Sequence, residues 1–171
     1  MRKIFNQHPD LFFMLTLMVL FVLGGAFSLL VWSVTRDEWA TNFEVFAVDP
    51  DRFMSIGTGK DGISPIDEPR FETVQEASAW LMSSSPVIVV HIVQPARAYP
   101  LNVLARHEII NDTAGDLVLA VTYCPMCNSP IVYRREVDGQ VLRLGVTGNL
   151  LGSNFLMWDD QTESWWQQFT G

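Results

Sequence analysis

The chain has 171 residues, 49% of them hydrophobic, with 19 Asp and Glu against 11 Lys and Arg. That length suits one domain with a real core rather than two. Residues 36–171 carry 18 acidic against 9 basic side chains, a net −9, and such a field repels nucleic acid and anionic lipid, which excludes a polyanion partner.

The mean hydropathy of +0.18 owes much to one block at the front of the chain, "LFFMLTLMVLFVLGGAFSLLVWSV", residues 11–34, which holds no charged residue in 24 positions. As a helix it would span roughly 36 Å, against about 30 Å for a hydrocarbon core, so a transmembrane helix is expected. A cleaved signal peptide is the rival reading, but the run is too long for its apolar region and no small-x-small cleavage site follows. Arg2 and Lys3 precede the span and Arg36-Asp37-Glu38 follows it. The positive flank predicts that residues 1–10 form a cytoplasmic tail, with the C-terminal domain in the periplasm or outside the cell. The expected partner of residues 11–34 is therefore the lipid bilayer of the cell (inner) membrane.

Residues 35–60 mix charge, turn formers and isolated aromatics, and read as a stalk with one short strand at 43–48. Residues 61–71, "DGISPIDEPRF", read as an extended or turning segment. A short helix fits 72–82, with Thr73 as its cap. The β-branched run "VIVVHIV", 87–93, has the profile of a strand buried on both faces. Gln94-Pro95 turns the chain, and "ARAYPL" returns as a second strand. A helix is predicted over 101–110, stopped by Asn111-Asp112 and then Gly115-Asp116.

Strand "LVLAVTY" (117–123) enters the cysteines and "IVYRREV" (131–137) leaves them. Asp138-Gly139 predicts a hairpin to "QVLRLGV" (140–146). A Gly/Asn-rich loop at 147–154, "FLMW", a turn at 159–164 and "WWQQF" complete a C-terminal half that is antiparallel β. The fold class expected is thus α+β: a transmembrane helix, then a mainly antiparallel β domain with a few short helices over 61–171. Gly171 follows directly on a strand, so the domain is expected to continue beyond it.

Both cysteines lie in "AVTYCPMCNSPIVY", residues 120–133. As a staple the Cys124–Cys127 spacing would be weak, because stabilisation grows with the length of the closed loop. As a redox couple it is favourable, because the second thiol is always at hand to resolve a mixed disulfide. A thioredoxin-like fold does not fit: there a helix follows the dithiol, whereas Pro130 and "IVY" read as turn and strand. Arg97, Arg134 or a histidine would then have to activate the thiol. Asn128 excludes c-type haem attachment, which needs His after the second Cys.

A metal site is the second reading, with Cys124, Cys127 and His107 or His91 as ligands for Zn or Cu, and Met126 as a soft addition. His107 reads more readily as a core histidine than as a ligand, and His91 more so, while the cysteines also read as two small buried residues. The dithiol chemistry itself requires no cofactor. Trp158, Trp165 and Trp166 suggest a third class, an interaction module, though such clusters in β domains commonly serve packing.

"DGISPIDEPRF", "ARAYPLNVLARHEIINDT", "VTYCPMCNSPIVYRREVDG" and "LRLGVTGNLLGSNFLMWDDQTESWWQQFTG" together resemble the bacterial and archaeal family known as domain of unknown function 3179, over about residues 61–171. The resemblance implies an exported or membrane-anchored protein, and some relatives carry selenocysteine at a cysteine position of the TYCPxC motif. That points to thiol redox chemistry. The matched motifs direct attention to Arg97, Tyr99, His107, Glu108, Asn111, Asp112, Tyr123, Cys124, Cys127 and Asn128. Met126 stands where the family more often has Leu. On this reading one of Cys124 and Cys127 attacks a protein or small-molecule disulfide or oxidant and the other resolves it. His107 is the candidate base and Arg97 the candidate thiolate stabiliser.

Overall fold

The structure is a computed structural model that describes residues 9–36, 39–92 and 95–171. Arg2 and Lys3, Asp37 and Glu38, and Val93 and Gln94 of the expected strand end and turn lie outside the described residues.

Helix α1 (Pro9–Arg36) runs for 28 residues and belongs to a unit of its own that ends at Trp39. Its side chains are described over residues 14–27, and all of these are exposed. Among the described residues, no helix is long and apolar enough to cross a membrane. The expected transmembrane helix at 11–34 is thus not supported by the described residues.

The second unit, Ala40–Gly171, is a mainly antiparallel β domain with short helices, as expected. It begins earlier than the motif-rich region, because the segment expected to be a stalk packs into it. No strand forms at 43–48: Asn42 accepts the N–H of Glu44 on its side chain and that of Val45 on its carbonyl, which turns the chain and leaves Val45 and Phe46 exposed. The strand comes later, as β1 (Phe53–Ser55), after a single 3-10 turn at Pro50–Arg52 capped by Asp49.

β2 (Ile66–Asp67) follows, and then α2 (Val74–Ala77). Thr73 caps α2 as expected, in a reciprocal capping box with Glu76. The helix is one turn rather than the predicted three, because none of its residues is buried and so little tertiary packing supports it.

β3 (Val87–Val90) pairs with β4 (Arg97–Pro100) alone. Val87 and Val89 face solvent while Val90 is buried, so the expected burial on both faces is not met: a two-stranded sheet here has one covered face. Chain reversal at Pro100 opens α3 (Leu101–His107). β5 (Ile109–Ala114) begins two residues later, so Asn111-Asp112, expected as a stop signal, lie inside a buried strand.

β6 (Leu117–Cys124) and β7 (Ser129–Arg134) flank the cysteines as predicted. The Asp138-Gly139 hairpin also forms, between β8 (Glu136–Val137) and β9 (Gln140–Val141), with φ of 51° and 76° at its two turn residues. The loop expected at 147–154 is instead mostly strand: β10 (Leu144–Leu151) is paired to β11 (Asn154–Asp159), with a register irregularity between Val146 and Leu150 at Gly148. β12 (Trp165–Gln167) closes this sheet.

Three layers result. The central sheet has the order β2-β5-β6-β7, antiparallel except for the parallel β2–β5 pair, and a second sheet has the order β1-β10-β11-β12. Ile109, Ala120 and Cys124 from the central sheet meet Leu144, Val146, Leu150, Phe155 and Met157 from the second. On the opposite face of the central sheet, Ile110, Leu119 and Val121 meet Val90, Tyr99 and Leu104 from β3, β4 and α3. A sheet covered twice explains why four consecutive residues of β5 are buried where alternation would leave half exposed.

On the outer face of the second sheet, Gly145 lies against the Trp158 indole and the Asp61 carboxylate, where any Cβ would collide with both. Trp158 Nε1 donates to Asp61 Oδ1 at 3.0 Å, as does the N–H of Val146 at 2.9 Å. Gly145→Ala must break that arrangement and is expected to cost roughly 2–3 kcal/mol. A lower urea midpoint with unchanged denaturant slope would show it.

Candidate functional site

Cys124 ends β6 and pairs with Ser129, the first residue of β7, so residues 125–128 form the tip of a hairpin. Strand, not helix, follows the second cysteine. Asn128 adopts a left-handed φ of 47°, which Asn tolerates, and its Oδ1 accepts the Tyr123 hydroxyl at 3.0 Å. These two features close the tip and set Cα atoms 124 and 127 at 5.5 Å, with the sulfurs joined in a disulfide.

The two cysteines sit in different surroundings. Cys124 is 1% exposed, within the apolar layer between the sheets. Cys127 is half-buried at the rim, beside exposed Pro125 and Met126. Both sulfurs lie near the Ser153 carbonyl oxygen, at 3.6 Å and 3.5 Å, in the β10–β11 turn. Asn154 Nδ2, from the start of β11, reaches Cys127 Sγ at 3.3 Å. The sequence did not single out Ser153, Asn154 or Gln168, because they follow from how the second sheet docks on the hairpin.

α3 packs on β6, and the Tyr123 N–H donates to the Glu108 carbonyl at 2.9 Å, which brings the end of α3 up to the cysteine end of β6. His107 Nδ1 lies 2.8 Å from the Ser64 carbonyl. A carbonyl only accepts, so Nδ1 carries a proton, and in the neutral ring Nε2 is the nitrogen with the lone pair that a base needs.

Arg97 is not brought to the sulfurs. Its guanidinium donates to Asp112 and to the Thr113 carbonyl, and Asp112 Oδ2 also accepts the Tyr99 hydroxyl at 2.6 Å. That cluster lies on the β4 side of the central sheet, whereas Cys124 faces the second sheet. Burial and then the Asp112 bond push the Tyr99 phenol up, so it is a neutral donor. Arg134 pairs with Glu136 and is exposed.

His91, expected among apolar strand residues, is exposed and lies past the end of β3. Among the described residues, no group of three or more His, Cys, Asp and Glu is gathered to hold a metal ion. A metal on Cys124 and Cys127 would need sulfurs that are here bonded to each other. Of the tryptophans, Trp158 is buried, Trp166 Nε1 donates to Asp159 Oδ2 at 2.9 Å, and Trp165 stacks on Phe53 at 5.6 Å.

A family model described as "Protein of unknown function (DUF3179)" matches residues 60–171. The chain belongs to the DUF3179 family. No curated protein and no solved structure matches it.

Within this DUF3179 domain, Glu108 is the outlying acid. It caps α3 at a φ of 59°, its N–H bonded to the Leu104 carbonyl at 2.7 Å, and its buried Oε2 has no hydrogen-bond partner among the described residues. Burial pushes its carboxyl up to about 7. The folded state therefore holds this proton more tightly than the unfolded chain. The stability associated with it is complete below the ordinary Glu range and is lost as pH rises through about 7. Glu108→Gln removes the titration. It is expected to flatten the pH dependence and to be more stable than wild type at pH ~8 by about 2 kcal/mol, measured by chemical unfolding at both ends of the range.

Proposed function

We propose that this is a membrane-anchored, extracytoplasmic thiol–disulfide oxidoreductase acting through Cys124 and Cys127. The observation that carries the reading is a disulfide between residues 124 and 127, placed at a half-exposed hairpin tip whose strands are already paired. A loop that short contributes about 2 kcal/mol on the chain-entropy model, against about 3 for a 15-residue loop, and the register leaves it little to fix. Stapling is thus a weak reason for the pair, and reversible chemistry a good one.

In the reduced protein, one cysteine thiolate attacks a substrate disulfide. A new S–S bond forms, the substrate bond breaks, and the first substrate sulfur leaves as thiolate. The second cysteine then attacks the mixed disulfide, closing Cys124–Cys127 and releasing the other substrate sulfur. Two electrons and two protons pass to the substrate; the reverse sequence oxidises a dithiol. His107, with Nε2 as its accepting nitrogen, is the proposed base.

The anchor rests on the 24 uncharged residues at 11–34 within a 28-residue helix. With Arg2 and Lys3 before it, the domain lies outside the cytoplasm, where a disulfide persists. A reporter that folds only outside the cytoplasm, fused after Gly171, is expected to be active; activity only of a cytoplasmic reporter would refute that orientation.

The deciding experiment is the redox midpoint of the pair in the full chain, equilibrated in defined thiol buffers, trapped with alkylator and read by intact mass. A midpoint between about −120 and −270 mV is expected; one below about −300 mV makes the bond structural and ends the enzyme reading. Cys124→Ser and Cys127→Ser should each abolish two-electron turnover. Thiols shielded until a chelator is added would instead favour metal handling through the same sulfurs.

A further inference from the structure

Behind the disulfide runs a chain of buried polar groups that the redox scheme above does not use. Asn154 is 6% exposed, while Gln168 and Thr122 are fully buried. Their hydrogen bonds can point only one way. The Thr122 hydroxyl donates to the Ile131 carbonyl at 2.9 Å, so toward Gln168 it accepts, receiving Gln168 Nε2 at 3.0 Å. Gln168 Nε2 also donates to the Ser129 carbonyl at 3.0 Å. Gln168 Oε1 must then face Asn154, and it accepts Asn154 Nδ2 at 2.7 Å. Independently, the Phe169 N–H donates to Asn154 Oδ1 at 2.9 Å, which fixes the same orientation of that amide. The remaining N–H of Asn154 is left for Cys127 Sγ, 3.3 Å away.

From this geometry we infer that Cys127 is the attacking sulfur, that Asn154 is the positioning residue that holds its thiolate, and that Cys124 is the resolving thiol. The assignment rests on the thiol redox reading. A donor locked onto a sulfur stabilises the thiolate relative to the thiol. The Ser153 carbonyl lies near both sulfurs, at 3.6 Å and 3.5 Å, and does not distinguish them; Cys124 differs in being buried among apolar side chains, which favours S–H over the thiolate. When the disulfide opens, Cys127 takes the negative charge against Asn154 while Cys124 keeps its proton in the apolar layer. Exposure agrees, because only Cys127 reaches the surface.

Other titratable groups on the surrounding elements do not compete for this role. The Tyr123 and Tyr133 hydroxyls donate to Asn128 Oδ1 and to the Gln168 carbonyl, at 3.0 Å and 2.8 Å. His107 is bonded to Ser64, and Glu108 is joined to the hairpin through its backbone carbonyl.

The test is the pH dependence of alkylation in the full chain. The protein, extracted in detergent and reduced with a phosphine, is pulsed with limiting iodoacetamide across a pH series, and each cysteine is quantified by tandem mass spectrometry. Cys127 is expected to react first, with a midpoint at least about one unit below the ordinary ~8.5 and below that of Cys124. Asn154→Ala should raise the Cys127 midpoint by about one unit, an approximately tenfold loss of thiolate near neutral pH, and leave Cys124 within a few tenths. Asn154→Asp, which puts acceptors against the sulfur, should raise it further. Using the midpoint rather than the rate separates thiolate stabilisation from mere access.

A lower midpoint at Cys124, or an Asn154→Ala protein with native near-UV signal and an unmoved Cys127, overturns the assignment. Should the variants not fold, the order of the two wild-type midpoints decides it. The two readings fail separately. A redox midpoint outside the catalytic range with a low Cys127 midpoint ends the oxidoreductase reading alone. A catalytic midpoint with Cys124 ionising first ends this assignment alone.

Discussion

One buried amide sets the relation between the two sheets. Asn111, 4% exposed in β5, donates from Nδ2 to the Leu144 carbonyl at 2.8 Å and accepts the Leu144 N–H on Oδ1 at 3.1 Å. Its side chain thus pairs with β10 as a neighbouring peptide would. Its second N–H goes to Asp67 of β2 at 2.8 Å, and Asp67 in turn accepts from Arg143, next to Leu144. Without that amide, the Leu144 backbone would have polar groups facing an apolar layer with no partner, at the cost such orphans carry. Asn111 fixes where β10 begins. The start of β10 then determines where the β10–β11 turn arrives, and so which groups meet the sulfurs.

The far end of the same interface is pinned by a second set of polar side chains, Asn154, Gln168 and Thr122, so the docking is specified at both ends. Apolar residues between these points supply the attraction, but Leu, Val and Phe faces tolerate sliding in a way that paired amides do not. The two sheets are therefore held in one register by a handful of polar groups. Their positions place a carbonyl and an amide N–H around a pair of sulfurs that belong to the other sheet.

Much of the domain was legible from local pattern. The hairpin at Asp138-Gly139, the strands on either side of the cysteines, the cap at Thr73 and the β4 strand all follow from turn chemistry and alternation. The misreadings share a cause, which is burial that the chain alone does not report. Asn111-Asp112 look like a stop signal, yet each is satisfied by distant partners, Leu144 for one and Arg97 with Tyr99 for the other, and so can sit in a strand. Residues 147–154 look like a loop because of their glycines and asparagines. Thr147 nevertheless bonds to the Leu156 carbonyl at 2.8 Å, and Gly148, at a φ of 73°, passes so close to Gly59 that a side chain would not fit. At the candidate site, the cysteines and His107 were visible as residue types. Asn154 and Gln168 carry no motif signal, and Arg97 could not be placed on the wrong face of the sheet from spacing alone.

The cysteine hairpin has a further property that follows from its location. Cys124 is the last residue of a strand buried on both sides through most of its length, and Ser129, across from it, begins the next. Neither end of the tip depends on the S–S bond for its place. Opening the disulfide leaves two sulfurs that stay neighbours, since the backbone that presents them is already ordered. Closing it again is an intramolecular step at high effective molarity, with little conformational freedom left to lose.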